Sequence, residues 1–255
     1  MAPPIWTEEF KVHSYEVDFK RAATLETLCR FFQEAAWNHA EALGVGYERL
    51  ASDKKLWVLS RLLLEVGRHP LWGERIQVQT WPRPVEGPFA LRDFEFFDSA
   101  HKRLLAGSSA WLVLDSNTRK PQRVDKFLAG IPAVSERRAS ARSPAKLSGD
   151  DGSAQMTRRT IDVRHSDLDV NNHVNNARYI GWLLDSYSAE FHRDHEVRSC
   201  EVNYLGETGA GNVLAIGTHP VSEETFEHSI LGSRGSEVCR ARLSWARIQI
   251  QPNDG

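Results

Sequence analysis

Asp167-Leu168-Asp169-Val170-Asn171-Asn172-His173-Val174-Asn175-Asn176 runs straight into Ala177-Arg178-Tyr179-Ile180-Gly181-Trp182-Leu183-Leu184-Asp185-Ser186. A polar cluster gives way at once to an apolar run. Side chains two apart on an extended segment share a face. Asp169, Asn171 and His173 are therefore expected to present a carboxylate, an amide and an imidazole side by side. Tyr179, Trp182, Leu183 and Ser186 recur at helical spacing. A helix starting just after the cluster would aim its unbonded backbone N–H groups, near Val174, Asn175 and Asn176, at those three side chains. Such a combination can hold a carbonyl, polarise it and manage a proton.

Outward from this stretch, Arg159–Arg164 reads as a strand and Val174 to about His192 as one helix. Strands are expected over Val197–Tyr204, Asn212–Gly217, Phe226–Leu231 and Glu237–Gln249. The same order precedes it in the chain. Phe10–Phe19 alternates like a strand. Thr24 can cap a helix that has Glu26 in its first turn. Leu28, Phe31, Phe32, Ala35, Ala36 and His39 form one apolar face, and Gly44 and Gly46 end it. Trp57–Val66, Glu74–Trp81, Ala90–Phe97 and Leu104–Leu114 are strand candidates. The segment Leu64–Pro82 lies over Val202–Pro220 without a gap, at an offset of 138 (220 − 82), and pairs Gly73 with Gly211. Trp111 meets Trp245 at an offset of 134 (245 − 111). A long helix followed by antiparallel strands, twice, predicts an α+β protein with two similar halves, residues 1–134 and 159–255. Between them, 135–158 is a linker, because Ser135–Ser153 has few large apolar side chains and little to order it.

The 255 residues suit two such domains, and 41% hydrophobic residues supply a core for each. With 32 Lys plus Arg against 34 Asp plus Glu, the net charge is −2, which gives no general attraction to nucleic acid or an anionic membrane. Cys29, Cys200 and Cys239 are far apart and odd in number, which favours a reducing compartment. The start, Met1–Phe10, lacks an apolar signal region, and no stretch reaches the length of a membrane span. A cytoplasmic location is the expectation. No metal-ligand spacing is present, so neither metal nor cofactor is assigned. Trp57, Trp72, Trp81 and Trp111 are expected to be core or pocket lining.

Comparing the halves shows what the first lacks. Anchoring Val17 on Val163, an offset of 146 (163 − 17), puts Ala23, Leu25 and Thr27 opposite Asp169, Asn171 and His173. One half would then carry the chemistry. Glu207, at a strand end before Thr208 and Gly209, is the second polar point of the C-terminal half. Beside a His and an Asp it can serve as a general base toward water.

The run RHSDLDVNNHVNNARYIGWLLDS closely resembles the signature of the acyl-acyl-carrier-protein thioesterases of plants and bacteria. YEVDFKRAATLETLCRFFQEAAWNHAEALG, WVLSRLLLEVGRHPLWGERIQVQTW and WLVLDSNTRKPQRV in the first half resemble that family too. The resemblance implies a double hotdog, two tandem helix-in-antiparallel-sheet domains. It implies hydrolysis of a fatty acyl-carrier thioester to free fatty acid and carrier. The catalytic residues it implies are Asp169, Asn171, His173 and Glu207. The next position, often Cys in plant members, is Thr208 here, which speaks against a Cys nucleophile. The N-terminal half would bind the acyl chain, with Phe32 and Ala36 on its helix face. Val174, Asn175, Asn176 and Thr208 would line the thioester end. The expected partner is an acidic acyl carrier protein carrying a fatty acyl chain, met by Arg178, Arg193 or Arg198. A homodimer stays open. The alternatives are an acyl-CoA thioesterase, a non-catalytic acyl-binding hotdog protein and a hydratase.

Overall fold

The computed structural model describes residues 2–149, 157–233 and 235–248. The chain forms two compact units. One runs to Lys146 and includes Glu201–Tyr204; the other holds Leu147–Cys200 and the chain from Leu205 onward.

In the first unit the order is β1 (Trp6–Lys11), α1 (Leu25–Ala42), α2 (Tyr47–Ser52), β2 (Lys55–Val66), β3 (Arg75–Pro82), β4 (Ala90–Phe97), β5 (Arg103–Asp115) and α3 (Val124–Phe127). Its strands lie in the order β1-β3-β4-β5-β2, each antiparallel to its neighbour. The Thr24 side chain accepts from the Thr27 amide at 3.1 Å and starts α1 as its sequence predicts. Gly44, at φ +72°, follows the helix end in the left-handed region that only glycine enters cheaply.

The face of α1 bearing Leu25, Leu28, Cys29, Phe31, Phe32, Ala35, Ala36 and His39 is buried. Phe32 stacks on Phe94 of β4 with centroids 4.4 Å apart. Gly107 of β5 makes room for that ring, since a Cβ there would lie 2.0 Å from Phe94 Cε2. Close approach is a usual reason for glycine inside a strand.

The second unit contains β6 (Thr157–Asp162), α4 (Asn176–Leu184), α5 (Ala189–Asp194), β7 (His195–Tyr204) up to Cys200, β8 (Val213–Pro220), β9 (Thr225–Leu231) and β10 (Glu237–Arg247). Their order is β7-β10-β9-β8-β6. The helix expected to run from Val174 to His192 is broken into α4 and α5. Ser188 accepts from the Phe191 amide and caps the second piece, a local side-chain bond that outweighs continued helix. Tyr187, in the break, packs against Phe191, Phe226, His228 and Trp245.

Three further expectations need correction. Phe10–Phe19 is not a strand: β1 ends at Lys11, and a 3-10 turn covers Ser14–Glu16. The short helices α2 and α3 were not legible in the sequence. Trp72 is 49% exposed, with the Arg21 guanidinium 5.2 Å from its ring, whereas Trp81 is fully buried. The linker expected over 135–158 is described at 135–149, and at 157–158, where β6 has already begun; 150–156 and Gln249 lie outside the described residues. The described part has no helix or strand but is fastened through polar bonds. Trp81 Nε1 donates to Arg137 O, the Ala139 amide to Asp93 Oδ2, and Asn203 Nδ2 to Ala145 O. Main-chain polar groups share the ordering of this segment with buried Ala139 and Leu147.

Two buried histidines predict the acid limb of stability. His39 Nε2 donates to Pro3 O at 2.9 Å, while its Nδ1 accepts from Arg92 at 3.1 Å. His228 lies between the Tyr187 and Thr218 hydroxyls. Burial pushes both rings down to about 4. Between about pH 6.5 and 4 the unfolded chain therefore binds protons that the folded one refuses. Stability should fall as pH falls through that window, by about 1.4 kcal/mol per pH unit for each ring, and these groups should add no slope above it. Urea midpoints from pH 8 to 4 measure this; a His228→Gln variant whose slope matches the parent's would refute the assignment for that ring.

Candidate active site

The segment from Leu168 to Val174 is a closed turn, not the extended run its alternation suggests. Leu168 and Val174 form an isolated bridge. The Asp169 amide donates to His173 O at 2.7 Å, and the Asn172 amide to Asp169 O at 3.0 Å. Asp169 Oδ1 accepts from the Asn171 amide at 2.8 Å and the His173 amide at 3.3 Å. Asn172 takes the left-handed conformation, φ +60°, which an Asn tolerates better than most residues. The aspartate thus folds the loop, as Asp does in such turns. Asp169 and His173 come together through the turn's closure rather than through strand pleat, and Asn171 stands exposed at its tip.

Below the turn, Asp167 is buried. Its Oδ2 accepts from the Arg164 amide at 2.8 Å, and its Oδ1 from Arg178 Nε at 2.9 Å. Asn175 caps α4, accepting from the Ala177 amide at 2.9 Å. The helix entrance is not a set of unbonded donors. The Val174 amide donates to Thr208 O at 2.8 Å, and the Asn175 amide to Asp167 O at 2.9 Å. The expected role of these two amides in polarising a carbonyl is therefore withdrawn.

The bond from Val174 brings the loop after β7 to the turn. Glu207 Oε2 lies 3.8 Å from His173 Nε2, with both side chains about one third exposed. A carboxylate and an imidazole thus share a solvent-reached site, with Asp169 behind them. Tyr179, on the inner face of α4, is buried beneath the site; its phenol is pushed up to about 12, by burial first, with the Glu207 and Asp169 carboxylates adding to the rise and a polar contact to Thr208 opposing it. Sequence reasoning placed Tyr179 only on an apolar helix face. Its aromatic bulk made it look like core, and nothing in the sequence separated a core phenol from one under a site.

The other site expectations divide. Phe32 and Ala36 lie together on α1, with Phe32 filling the helix–sheet core. Arg178 is engaged with buried Asp167, Arg193 with Glu190 and Arg198 with Glu196, so each already has an acidic neighbour. Cys29, Cys200 and Cys239 are buried and in no disulfide; burial pushes the Cys200 thiol up to about 12 and that of Cys239 well above its ordinary value. Neither of those two is poised as a thiolate nucleophile. Among the described residues, no three His, Cys, Asp or Glu side chains gather as a metal site, and no helix is long and apolar enough to cross a membrane.

The first unit repeats this loop, at an offset different from the expected 146. Val17 bridges Ala23 as Leu168 bridges Val174, an offset of 151 (168 − 17). Asp18 Oδ1 accepts from the Lys20 and Ala22 amides, and Arg21, at φ +63°, stands where Asn172 does. Thr24 corresponds to Asn175. Ala23 donates to Pro70 O at 2.8 Å, as Val174 does to Thr208 O. The counterparts of Asp169, Asn171 and His173 are therefore Asp18, Lys20 and Ala22, not Ala23, Leu25 and Thr27. His69 takes the place of Glu207. The first copy has the turn-forming aspartate, the helix cap and the backbone bond, but not the Asn, His and Glu. Val163 corresponds to Val12 and not to Val17: the amides of Gly73 and Gly211 donate to Val12 O and Val163 O respectively.

Two helix-in-sheet units, one with a polar loop over its helix entrance, define a double hotdog. Family models match both units: the acyl-ACP thioesterase N-terminal domain over residues 3–131 and the C-terminal domain over 151–247. The chain belongs to the acyl-ACP thioesterase family. It is 31% identical over 246 residues to the chloroplastic oleoyl-acyl carrier protein thioesterase of Coriandrum sativum, covering 90% of this chain and 67% of that relative. An acyl-ACP thioesterase structure from Bacteroides thetaiotaomicron superposes with a TM-score of 0.85 at 29% identity, covering 95% of this chain and 98% of that one. The 12:0-ACP thioesterase of Umbellularia californica gives 0.85 at 26% identity, covering 97% and 99%. The chain spans 62–67% of the length of the first curated plant relatives.

Proposed function

We propose that the protein hydrolyses the thioester of a fatty acyl-acyl carrier protein to free fatty acid and carrier thiol. The observation that carries the reading is the pairing of His173 with Glu207 at 3.8 Å beside Asp169, in the half that keeps the full polar loop. In this reading Glu207 is the base that takes a proton from water, and His173 orients it and balances its charge. Asn171, at the exposed tip of the turn, holds the thioester carbonyl or the attacking water. Asp169 contributes mainly through the turn, since one of its oxygens is occupied by two backbone amides. Water attacks the carbonyl carbon, the C–S bond breaks, and the thiolate leaves with the proton that the base collected. Thr208 is no nucleophile: it is buried, and a Thr hydroxyl needs an adjacent base. The N-terminal unit, with its apolar helix face, takes the acyl chain. Three cysteines outside any disulfide fit a cytoplasmic setting.

The experiment is hydrolysis of a ladder of acyl-carrier thioesters with the matching CoA esters alongside. Turnover should be faster on the carrier substrates, with KM carrying the difference. Equal kcat/KM on both series would make the protein a general acyl thioesterase, and no turnover of either would leave an acyl-binding protein.

A further inference from the structure

At one end of the first unit, turns and strand ends meet. The turn closed by Val17 and Ala23 is tied to the loop after β2, since Ala22 bridges Leu71 and the Trp72 amide donates to Arg21 O at 2.9 Å. The 3-10 turn Ser14–Glu16 joins them, Glu16 O accepting from the Thr24 amide at 3.1 Å. Lys11 of β1 lies opposite Arg75 of β3. On this frame Tyr15 is 80% exposed, Phe19 59%, Trp72 49% and Leu71 46%. Four large apolar side chains on adjoining turns make a patch, unlike the scattered single ones normal on a surface. Lys11, Arg21 and Arg75 are exposed too, and among the described residues none of the three is in an ion pair. The acids of the same turns are engaged within the unit: Glu16 with His13, Asp18 with the Lys20 and Ala22 amides, and Glu74 with Arg68.

The second unit is an internal control. The Lys11–Arg75 pair corresponds to Asp162–Val213, which holds the same place between β6 and β8. At the offsets of 151 (168 − 17) and 138 (220 − 82), Tyr15, Phe19, Leu71 and Trp72 correspond to Ser166, Val170, Gly209 and Ala210. The same backbone frame therefore forms with neither aromatic rings nor cations at these positions. Folding does not explain why the first unit presents both to solvent.

We propose that this end of the first unit is a peripheral docking surface for an anionic lipid bilayer. Phe19, Leu71 and Trp72 enter the headgroup layer with Tyr15 beside them, and Lys11, Arg21 and Arg75 meet lipid phosphates. Charge complementarity chooses the occupant. The chain as a whole, at −2, exerts no general pull, but the cations left unpaired at this end give a local one. A second copy of the chain would bring the basic patch against itself across a two-fold axis, where like charges oppose. Trp and Tyr, each an apolar body with a polar tip, suit the membrane interface, and a bilayer need offer no shaped recess to projecting turns. The contact lies on the membrane and does not span it. It is independent of the hydrolase reading.

The test is sedimentation of the full chain with vesicles of equimolar phosphatidylglycerol and phosphatidylcholine, and with vesicles of phosphatidylcholine alone. The parent should bind the mixed vesicles and be released as salt rises. Phe19→Ser with Trp72→Ser should lower the partition coefficient at least about tenfold, because binding scales with the apolar area inserted. Lys11→Gln with Arg75→Gln should lower it about 10- to 30-fold, at about fivefold for each cation lost. Val221→Ser, at a side chain 54% exposed in the second unit, should bind as the parent does. Urea midpoints identify any variant that fails to fold, and the charge pair then decides without the aromatic one. No binding by the parent overturns the proposal, as does parental binding by a folded double variant or equal binding to phosphatidylcholine alone. A concentration-dependent dimer in sedimentation velocity that is lost in the aromatic variant, with no vesicle binding, would assign the face to a second copy instead. Binding of purified acyl carrier protein lost in the same variants, again with no vesicle binding, would assign it to an acidic protein and overturn the lipid surface.

Discussion

Glu207→Gln and His173→Ala should each lower kcat by about 10²–10⁴, the usual worth of general base catalysis, and the double variant should be no slower than the worse single one. The two groups face each other across 3.8 Å, so removing either leaves the other without its partner. Gln keeps the shape of Glu but cannot take a proton at neutral pH. Asp169→Asn tests a different contribution. Its side-chain oxygen can still accept from the amides of Asn171 and His173, so the turn survives while the charge is lost. Its loss of rate should therefore be smaller than that of Glu207→Gln. Single-turnover rates on one acyl-carrier substrate measure all three. A nearly normal Glu207→Gln beside an inert Asp169→Asn would transfer the base to Asp169.

Phe32→Ala should destabilise the protein by about 3–5 kcal/mol, the cost of emptying a filled aromatic site. Phe32 is 1% exposed and stacks on Phe94 at 4.4 Å. The residue is thus first a part of the core, and a change of acyl preference in this variant would have to be read against a weakened unit. Gly107→Ala attacks the same stack from the other side. The new methyl would press on Phe94, and overpacking of this kind costs about 1–3 kcal/mol. Phe94→Leu in the Gly107→Ala background should return part of that loss, whereas in the parent it should only destabilise. Urea unfolding followed by near-ultraviolet dichroism measures each step. A parental midpoint for Phe32→Ala would show that the ring is not packed as described.

Much of this was legible in the sequence because the signals were local. Thr24 before an apolar 3.6-residue rhythm marks the start of α1, and the gapless match of Leu64–Pro82 with Val202–Pro220 sets the later half of each unit in register. What failed shared one physical cause. Asp169, Asn171 and His173 alternate like a strand, but the Asp169 side chain captures two amides and folds the segment into a turn. Ser188 does the same to the long helix by capping a second start. Short side-chain bonds to the backbone override periodicity. Tyr179 and the Asp167–Arg178 pair were missed for another reason. Whether a phenol is core or lies beneath a site depends on what chain distant in sequence is laid over it. Here that is the loop carrying Glu207, held to the turn by the backbone bond from Val174 to Thr208.

The paired loops also bear on how such a site can change. The turn asks only for an aspartate at its start and a residue able to take a positive φ near its end. Asp18 and Arg21 meet those terms as Asp169 and Asn172 do. The positions between and after, Lys20 and Ala22 in one copy and Asn171 and His173 in the other, are excused from any duty to the fold. Geometry and reactivity are thus written in separate letters of the same short word. One set can be rewritten without misspelling the other, and a duplicated chain could let one copy fall silent while its architecture stayed whole.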